Sequence, residues 1–165
     1  MKAYNDVTAC YTHYGGLIFH TALHYLQNRE DAEDVMQETF IRYINRLLPF
    51  HEADHEKAWL LRVAINLCKD HCRSAARRNL PLEDFADQLH CTFNEDELFI
   101  AEELAKLPPE DRAVLYLYYF RQMTAPEIAK AFRQKESTVK SRLRRAREKL
   151  KNNILSEKED AYERL

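Results

Sequence analysis

Apolar residues recur along this chain at spacings of three and four and nowhere in sustained alternation, so the pattern predicts helices and no strands. From Asn5 to Gln27 a first helix carries Val7, Tyr11, Tyr14, Ile18 and Tyr25, with Gly15-Gly16 as a place to bend or pack closely. Asn28 is a good N-cap, and Glu30, Asp31, Glu33 and Asp34 crowd the positive end of the helix that follows. That second helix is expected to run to about Leu48, stopped by Pro49, and to bury Ala32, Val35 or Met36, Phe40, Tyr43 or Ile44, and Leu47. Its other side shows Asp34, Gln37, Glu38, Ile41 and Asn45. A third helix, about Asp54 to Ala76, places Trp59, Leu60, Val63, Ala64, Leu67 and Cys68 on its core side. Periodicity then fades from Leu80 to Asn94.

It resumes in a short helix from Glu95 to Lys106 and in another that Pro109 starts, with Glu110 and Asp111 in its first turn and Val114, Leu115, Leu117, Tyr118 and Phe120 as apolar positions. The most informative stretch is Thr124 to Lys151. Thr124 and Glu127 form a capping-box pair, Pro126 is tolerated in the first turn, and Ile128 and Phe132 share a face. After the polar break Arg133-Gln134-Lys135-Glu136, the residues Val139, Leu143, Ala146 and Leu150 repeat at helical spacing. Opposite them stand Lys140, Ser141, Arg144, Arg145 and Arg147. Ten Lys or Arg against two Glu between Lys130 and Lys151 make a net +8. Two short helices with the second strongly basic describe a helix-turn-helix whose second helix enters the major groove of DNA.

Composition sharpens this reading. The fold class is all-α, in two small helical domains at 1–78 and 95–152, joined by an acidic linker at 79–94 and followed by a tail at 153–165. Two glycines in 165 residues argue against a Gly-rich phosphate loop and against a turn-rich all-β fold. The formal charge of −2 hides eight acids and no Lys or Arg from Glu83 to Glu103, so the DNA-binding charge is local. No apolar run approaches 18 residues and no leader is visible, which predicts a cytoplasmic chain without membrane insertion. The four cysteines are expected to be reduced. Cys68, His71 and Cys72 fall at i, i+3, i+4 and would share a metal only with a fourth ligand such as His20, His24 or Cys91, so no metal or cofactor is assigned. No nucleophile, base and orienting group come together in the pattern, and no enzyme is expected.

Four stretches in order, NREDAEDVMQETFIRYINRL, KAWLLRVAINLCKDHCRSAARR, AKLPPEDRAVLYLYYFRQMTAPEIA and STVKSRLRRAREKLK, resemble the extracytoplasmic-function (group 4) RNA polymerase sigma factors of the sigma-70 family. The resemblance runs from Tyr11 to about Lys151. It implies a promoter-specificity subunit that brings the polymerase core to −35 and −10 elements. By that likeness Asp34, Gln37 and Glu38 dock on the β′ clamp helices, and the β subunit makes further contact. The loop Pro49 to Glu56, with Phe50, forms the pocket for a −10 base. Asn66 is the matched polar residue, and Arg62, Lys69, Arg73, Arg77 and Arg78 hold the single strand. At the −35 duplex, Lys140, Ser141, Arg144 and Arg145 reach the groove, while Arg142 and Arg147 hold phosphate or pack. Promoter DNA and an anti-sigma protein are the further implied partners, and the free chain is expected to be a monomer.

One departure stands in the helix-turn-helix. Where the family has a small or Gly residue, an apolar residue and Ser, this chain has Arg133, Gln134 and Lys135. A left-handed turn residue other than Gly costs about 1 kcal/mol, and Lys is a poor N-cap. Two other readings compete with a sigma subunit. One is a helix-turn-helix regulator that does not engage polymerase, against which the DAEDVMQETF segment counts. The other is a helical interaction protein, metal-bound through Cys68, His71 and Cys72.

Overall fold

The computed structural model describes residues 4–78 and 95–164, and every regular element among them is a helix. The predicted linker, 79–94, lies outside the described residues. Helices α1 (Tyr4–Leu26), α2 (Arg29–Asn45) and α3 (Ala53–Arg78) each pack on the other two. They are followed by α4 (Glu95–Ala105), α5 (Pro109–Tyr119), α6 (Ala125–Phe132) and α7 (Glu136–Glu163), of which α4, α5 and α6 all pack on α7.

The local signals work as the sequence indicates. Asn28 Oδ1 accepts the Asp31 N–H at 2.8 Å, and Pro109 opens α5, where its missing N–H costs nothing. Helix α1 runs unbroken through Gly15-Gly16, and a Cβ at Gly15 would lie 3.8 Å from the Tyr11 ring, an ordinary packing distance. Helix α2, however, ends at Asn45 and not near Leu48. Arg46 leaves it with extended backbone (φ −71°, ψ 124°), because Pro49 disfavours helix at Leu48 and the Arg46 guanidinium lies 3.9 Å over the Phe50 ring. Leu47, expected in the buried stripe, is therefore 88% exposed.

The first three helices bury Ile18, Leu23, Val35, Leu60, Leu61 and Ile65, and the last four bury Leu104, Leu115, Leu117, Ile128 and Val139. Each Leu or Ile so enclosed contributes about 1.5–3 kcal/mol. The buried residues of the two halves form one connected cluster, since α5 packs on α1 and α6 packs on α3.

The seam between the halves is polar at its centre. Arg112 of α5 is 6% exposed; its guanidinium donates to the carbonyls of His24 at 2.6 Å and Tyr25 at 2.7 Å, and also to that of Leu107. The first two are carbonyls of the last turn of α1, which have no partner within the helix. Gln27, just past that helix, sends Nε2 to the Ala105 carbonyl at the end of α4, 2.7 Å away. The His24 ring stacks on Tyr116 of α5 with centroids 4.5 Å apart. Burial, with His20 on its own helix and Arg112 opposite, holds the His24 imidazole neutral, its pKa lowered to about 3.

This burial has a pH signature. The unfolded chain takes up a proton at His24 near the ordinary value of 6.5, while the folded chain does not until about 3. The stability is complete above 6.5 and is lost as pH falls towards the folded value, at about 1.4 kcal/mol per pH unit at full slope. Urea unfolding at pH 7.5 and 5.0 should show a smaller loss in His24→Phe than in the parent chain. Parallel losses would show that His24 is not the linked group.

Candidate nucleic-acid interface

The helix-turn-helix is built by α6 and α7. Thr124 accepts the Glu127 N–H at 3.4 Å, and Glu127 Oε2 accepts the Thr124 N–H at 2.7 Å, closing the capping box. That backbone hydrogen bond holds the Glu127 carboxyl below its ordinary pKa. At the other end of α6, Arg133 takes a left-handed backbone (φ 52°, ψ 44°), and the Gln134 N–H reaches back to the Ala129 carbonyl at 3.0 Å. This is the helix ending that usually takes Gly. Gln134 also extends Nε2 to Glu110 of α5 at 3.5 Å, which braces the turn from outside.

Along α7 the residues Val139, Leu143 and Ala146 are buried, leaving Lys140, Arg144 and Arg145 exposed and Ser141 half-buried. Lys140 pairs along the helix with Glu136 at 2.8 Å, and Arg145 Nε donates to the Ser141 carbonyl at 3.4 Å. Arg142 turns inward to Glu110 and Asp111, each at 2.9 Å. Arg147 lies along the wall of an apolar groove between α4, α5 and α7, donating to the Leu143 carbonyl at 3.3 Å and to the Tyr119 hydroxyl at 3.2 Å. Three of the predicted groove cations therefore face solvent, and Arg142 is engaged within the protein.

In the first half, the loop after α2 borders an open pocket of about 610 Å³ lined by Asp6, His13, Tyr14, Tyr43, Arg46 and Phe50, among others. Tyr43 lies nearly parallel to Phe50, with centroids 6.2 Å apart and planes 8° apart, and Trp59 closes the cluster from α3. Burial, and then the hydrogen bond to Glu56, drive the Tyr43 pKa up, so the phenol stays neutral. Trp59 packs against the core, as its place in the apolar repeat requires.

Residues Arg62, Asn66, Lys69 and Arg73 follow one another on α3 at spacings of four, three and four, which is one helix face. Asn66 is exposed and does not line the pocket. Arg62 Nη2 donates to the Lys130 carbonyl of α6 at 2.9 Å, Lys69 pairs with Glu110 of α5 at 3.4 Å, and Arg73 pairs with Asp70. Arg77 and Arg78 are the last two residues of α3. Asp34 and Gln37 are exposed on α2, Glu38 pairs with Arg42 at 2.8 Å, and Ile41 beside them is 50% exposed.

Cys68, His71 and Cys72 do not converge. His71 turns to Asp31 at 3.7 Å, burial pushes the Cys68 and Cys72 thiols up, and among the described residues no three His, Cys, Asp or Glu side chains group as metal ligands. The sequence reading missed Arg46 and Arg112. Both look like solvated cations in one dimension. For Arg112 a faint signal exists, because it sits among Ala113, Val114 and Leu115, where a helix turns into the core.

A basic helix-turn-helix packed on a three-helix unit with an acid-edged outer face defines a helical DNA-binding transcription protein. Residues 10–78 match sigma-70 region 2, and residues 100–150 match sigma-70 region 4. The chain is 34% identical over 145 residues to the ECF RNA polymerase sigma factor SigL of Mycobacterium tuberculosis, covering 82% of this chain and 81% of that protein. It is 29% identical to the ECF sigma factor SigM of Bacillus subtilis, over 86% of this chain and 90% of that one. Among solved structures, CnrH in complex with the cytosolic domain of CnrY superposes with a TM-score of 0.65 at 25% identity, covering 93% of this chain and 90% of that one. RpoE of Bartonella quintana, in complex with the anti-sigma factor NepR, shares the fold at a TM-score of 0.71 and 19% identity, covering 90% of this chain and 96% of that one. The chain belongs to the extracytoplasmic-function sigma factors of the sigma-70 family, the promoter-specificity subunits of bacterial RNA polymerase.

The left-handed Arg133 makes a direct test of the turn. Arg133→Gly should raise stability by about 1 kcal/mol, read as a higher midpoint in thermal unfolding. The change also removes a charge that opposes Arg62 across the seam. A lower midpoint would mean that the Arg133 side chain holds the turn through its own contacts.

Proposed function

We propose that the chain directs polymerase through three separate surfaces. The outer face of α2, with Asp34, Gln37 and Glu38, docks on the β′ clamp helices of the core. The pocket at Phe50 receives an unstacked −10 base, and the α3 face with Arg62, Asn66, Lys69 and Arg73, continued by Arg77 and Arg78, carries the displaced strand. An aromatic cluster beside a row of cations is the arrangement that single-stranded DNA binding requires. Helix α7 enters the −35 major groove with Lys140, Ser141, Arg144 and Arg145, and Arg142 and Arg147 support it from the flank. These roles divide the chain at 1–78 and 95–152, with 79–94 as the connection and 153–165 as a tail.

The observation that carries this reading is the union of both sigma-70 regions in one chain with an exposed basic α7 and an exposed acid-edged α2. The protein's work is address and promoter melting, with bond-making chemistry left to the polymerase. It acts in the cytoplasm, consistent with the absence of any described helix long and apolar enough to cross a membrane. An anti-sigma protein is a fitting regulator, since RpoE was solved in complex with the anti-sigma factor NepR.

Run-off transcription with purified core polymerase on sheared genomic DNA, followed by sequencing of the RNA 5′ ends, tests the function. New start sites sharing two upstream elements are expected; none would leave a regulator that does not act as a sigma subunit. Gln37→Ala with Glu38→Lys should abolish capture of the β′ clamp fragment without changing helix content by circular dichroism. On the promoters so found, Arg145→Ala should cost about 1–3 kcal/mol at particular −35 base pairs and relax preference there. Arg147→Ala should weaken all sequences alike and reduce the salt slope by about one phosphate contact. Unchanged promoter choice in Arg145→Ala with Lys140→Ala would make α7 a general basic face.

A further inference from the structure

The pocket assigned above to a −10 base already has a group on its aromatic wall. Phe50 packs against the core, with Tyr43 nearly parallel to it and Trp59 tilted beside it at a centroid distance of 5.6 Å. The Arg46 guanidinium lies 3.9 Å from the centre of the Phe50 ring and 5.5 Å from that of Trp59. Flat groups stack at about 3.5–4 Å, so Arg46 fills the place that a base would take on Phe50. The loop holds the arginine there. Arg46 leaves α2 with extended backbone, its N–H returns to the Tyr43 carbonyl at 3.3 Å, and its Nη1 donates to the Leu48 carbonyl at 2.9 Å. The side chain is half-buried and lines the same pocket as Phe50. Arg29 and Arg42 of α2 pair with Glu33 and Glu38, whereas among the described residues Arg46 forms no ion pair, although Glu52 and Glu56 line its pocket. Glu56 is taken by the Tyr43 hydroxyl, and Glu52 by His55 at 3.4 Å. A guanidinium is planar and weakly hydrated, and it can carry a nucleobase on one face while the other rests on an aromatic ring.

We propose that Arg46 is the residue on which the unstacked −10 base rests, and that Phe50, backed by Tyr43 and Trp59, is a positioning residue that holds the guanidinium plane in place. The proposal rests on the reading of this pocket as the site of the −10 base. It makes the early end of α2 at Asn45 part of the site, because a further helical turn would carry Arg46 away from the Phe50 ring. Lysine cannot replace arginine in this role, since an ammonium is a point charge with no face to stack on.

Holoenzyme assembled from core polymerase and the full-length chain is titrated, by anisotropy, against a fluorescent single strand carrying the non-template −10 element of a promoter found by run-off. A set of strands, each lacking one base, locates the base that the pocket holds. In the parent holoenzyme one abasic position should cost about tenfold in affinity beyond its neighbours, the scale of one stacked base. Arg46→Lys keeps the charge and loses the plane. It should bind the intact strand more weakly by the same factor, bind the strand abasic at that position as the parent does, and keep the salt slope. Arg46→Ala should also bind the intact strand more weakly. Circular dichroism and capture of core confirm that each variant is folded and assembled. Were the base instead to displace Arg46 and stack on Phe50, Arg46→Ala would bare the ring and tighten the intact strand, which overturns the proposal. It is equally overturned if Arg46→Lys keeps the abasic penalty, or if that variant weakens intact and abasic strands alike, since the arginine then only shapes the loop. A parent with no distinctive abasic position removes the pocket reading itself, whereas one with such a position that Arg46→Lys leaves unaltered removes only the role of Arg46.

Discussion

A buried guanidinium has to find acceptors, and that requirement sets how the two halves of this protein meet. Leaving a charge in an apolar interior without partners costs several kcal/mol, and Arg112 escapes this by donating to three carbonyls. Two of those carbonyls belong to the last turn of α1, which is itself short of donors and carries the negative end of a helix dipole. One contact thus resolves two deficits. Burial lowers the Arg112 pKa to about 10, which leaves the group charged at neutral pH. Once Arg112 is seated, helix geometry puts Glu110 and Asp111 one turn or less away, where they meet cations from α3 and α7.

The same α3 face consequently belongs to two surfaces. Its core side, with Leu60, Leu61, Ala64, Ile65 and Cys68, is buried. Its polar side, through Arg62, Asn66, Lys69 and Arg73, has the spacing of a strand-holding row, yet two of its members are engaged by α5 and α6. A partly exposed ion pair of this kind contributes little by itself. The contact between α1 and α5 adds the Arg112 hydrogen bonds and the His24–Tyr116 stack to it.

Helix endings in this chain show how a sequence with two glycines manages its turns. Gln27, Gln122 and Arg133 all take positive φ near 50°, and each follows closely on the end of a helix. Glycine would adopt that backbone without strain. Here local backbone bonds at the helix ends, together with contacts to other elements, hold it. Gln27 reaches Ala105, the Met123 N–H beyond Gln122 returns to the Leu117 carbonyl at 3.0 Å, and Gln134 beyond Arg133 reaches Ala129 and Glu110. The helix-turn-helix is thereby retained despite a turn sequence that departs from the family's.

The sequence by itself determined the local and periodic features. Spacing of three and four located the helices, and Asn28, Thr124 with Glu127, and Pro109 located their starts, because capping acts within one turn. The order of four motifs revealed the family, and the outward placement of Asp34, Gln37, Lys140, Arg144 and Arg145 followed from the apolar stripe on the opposite side. Tertiary structure alone decided what happens between elements. The end of α2 at Asn45 depends on Arg46 finding Phe50, and the inward turn of Arg142 depends on two acids about 31 residues away. The burial of Arg112 depends on carbonyls 87 and 88 residues earlier in the chain. Such pairings leave no period in the sequence. A cation bound for a buried carbonyl and one bound for solvent are the same letter, and only the approach of a distant helix end distinguishes them.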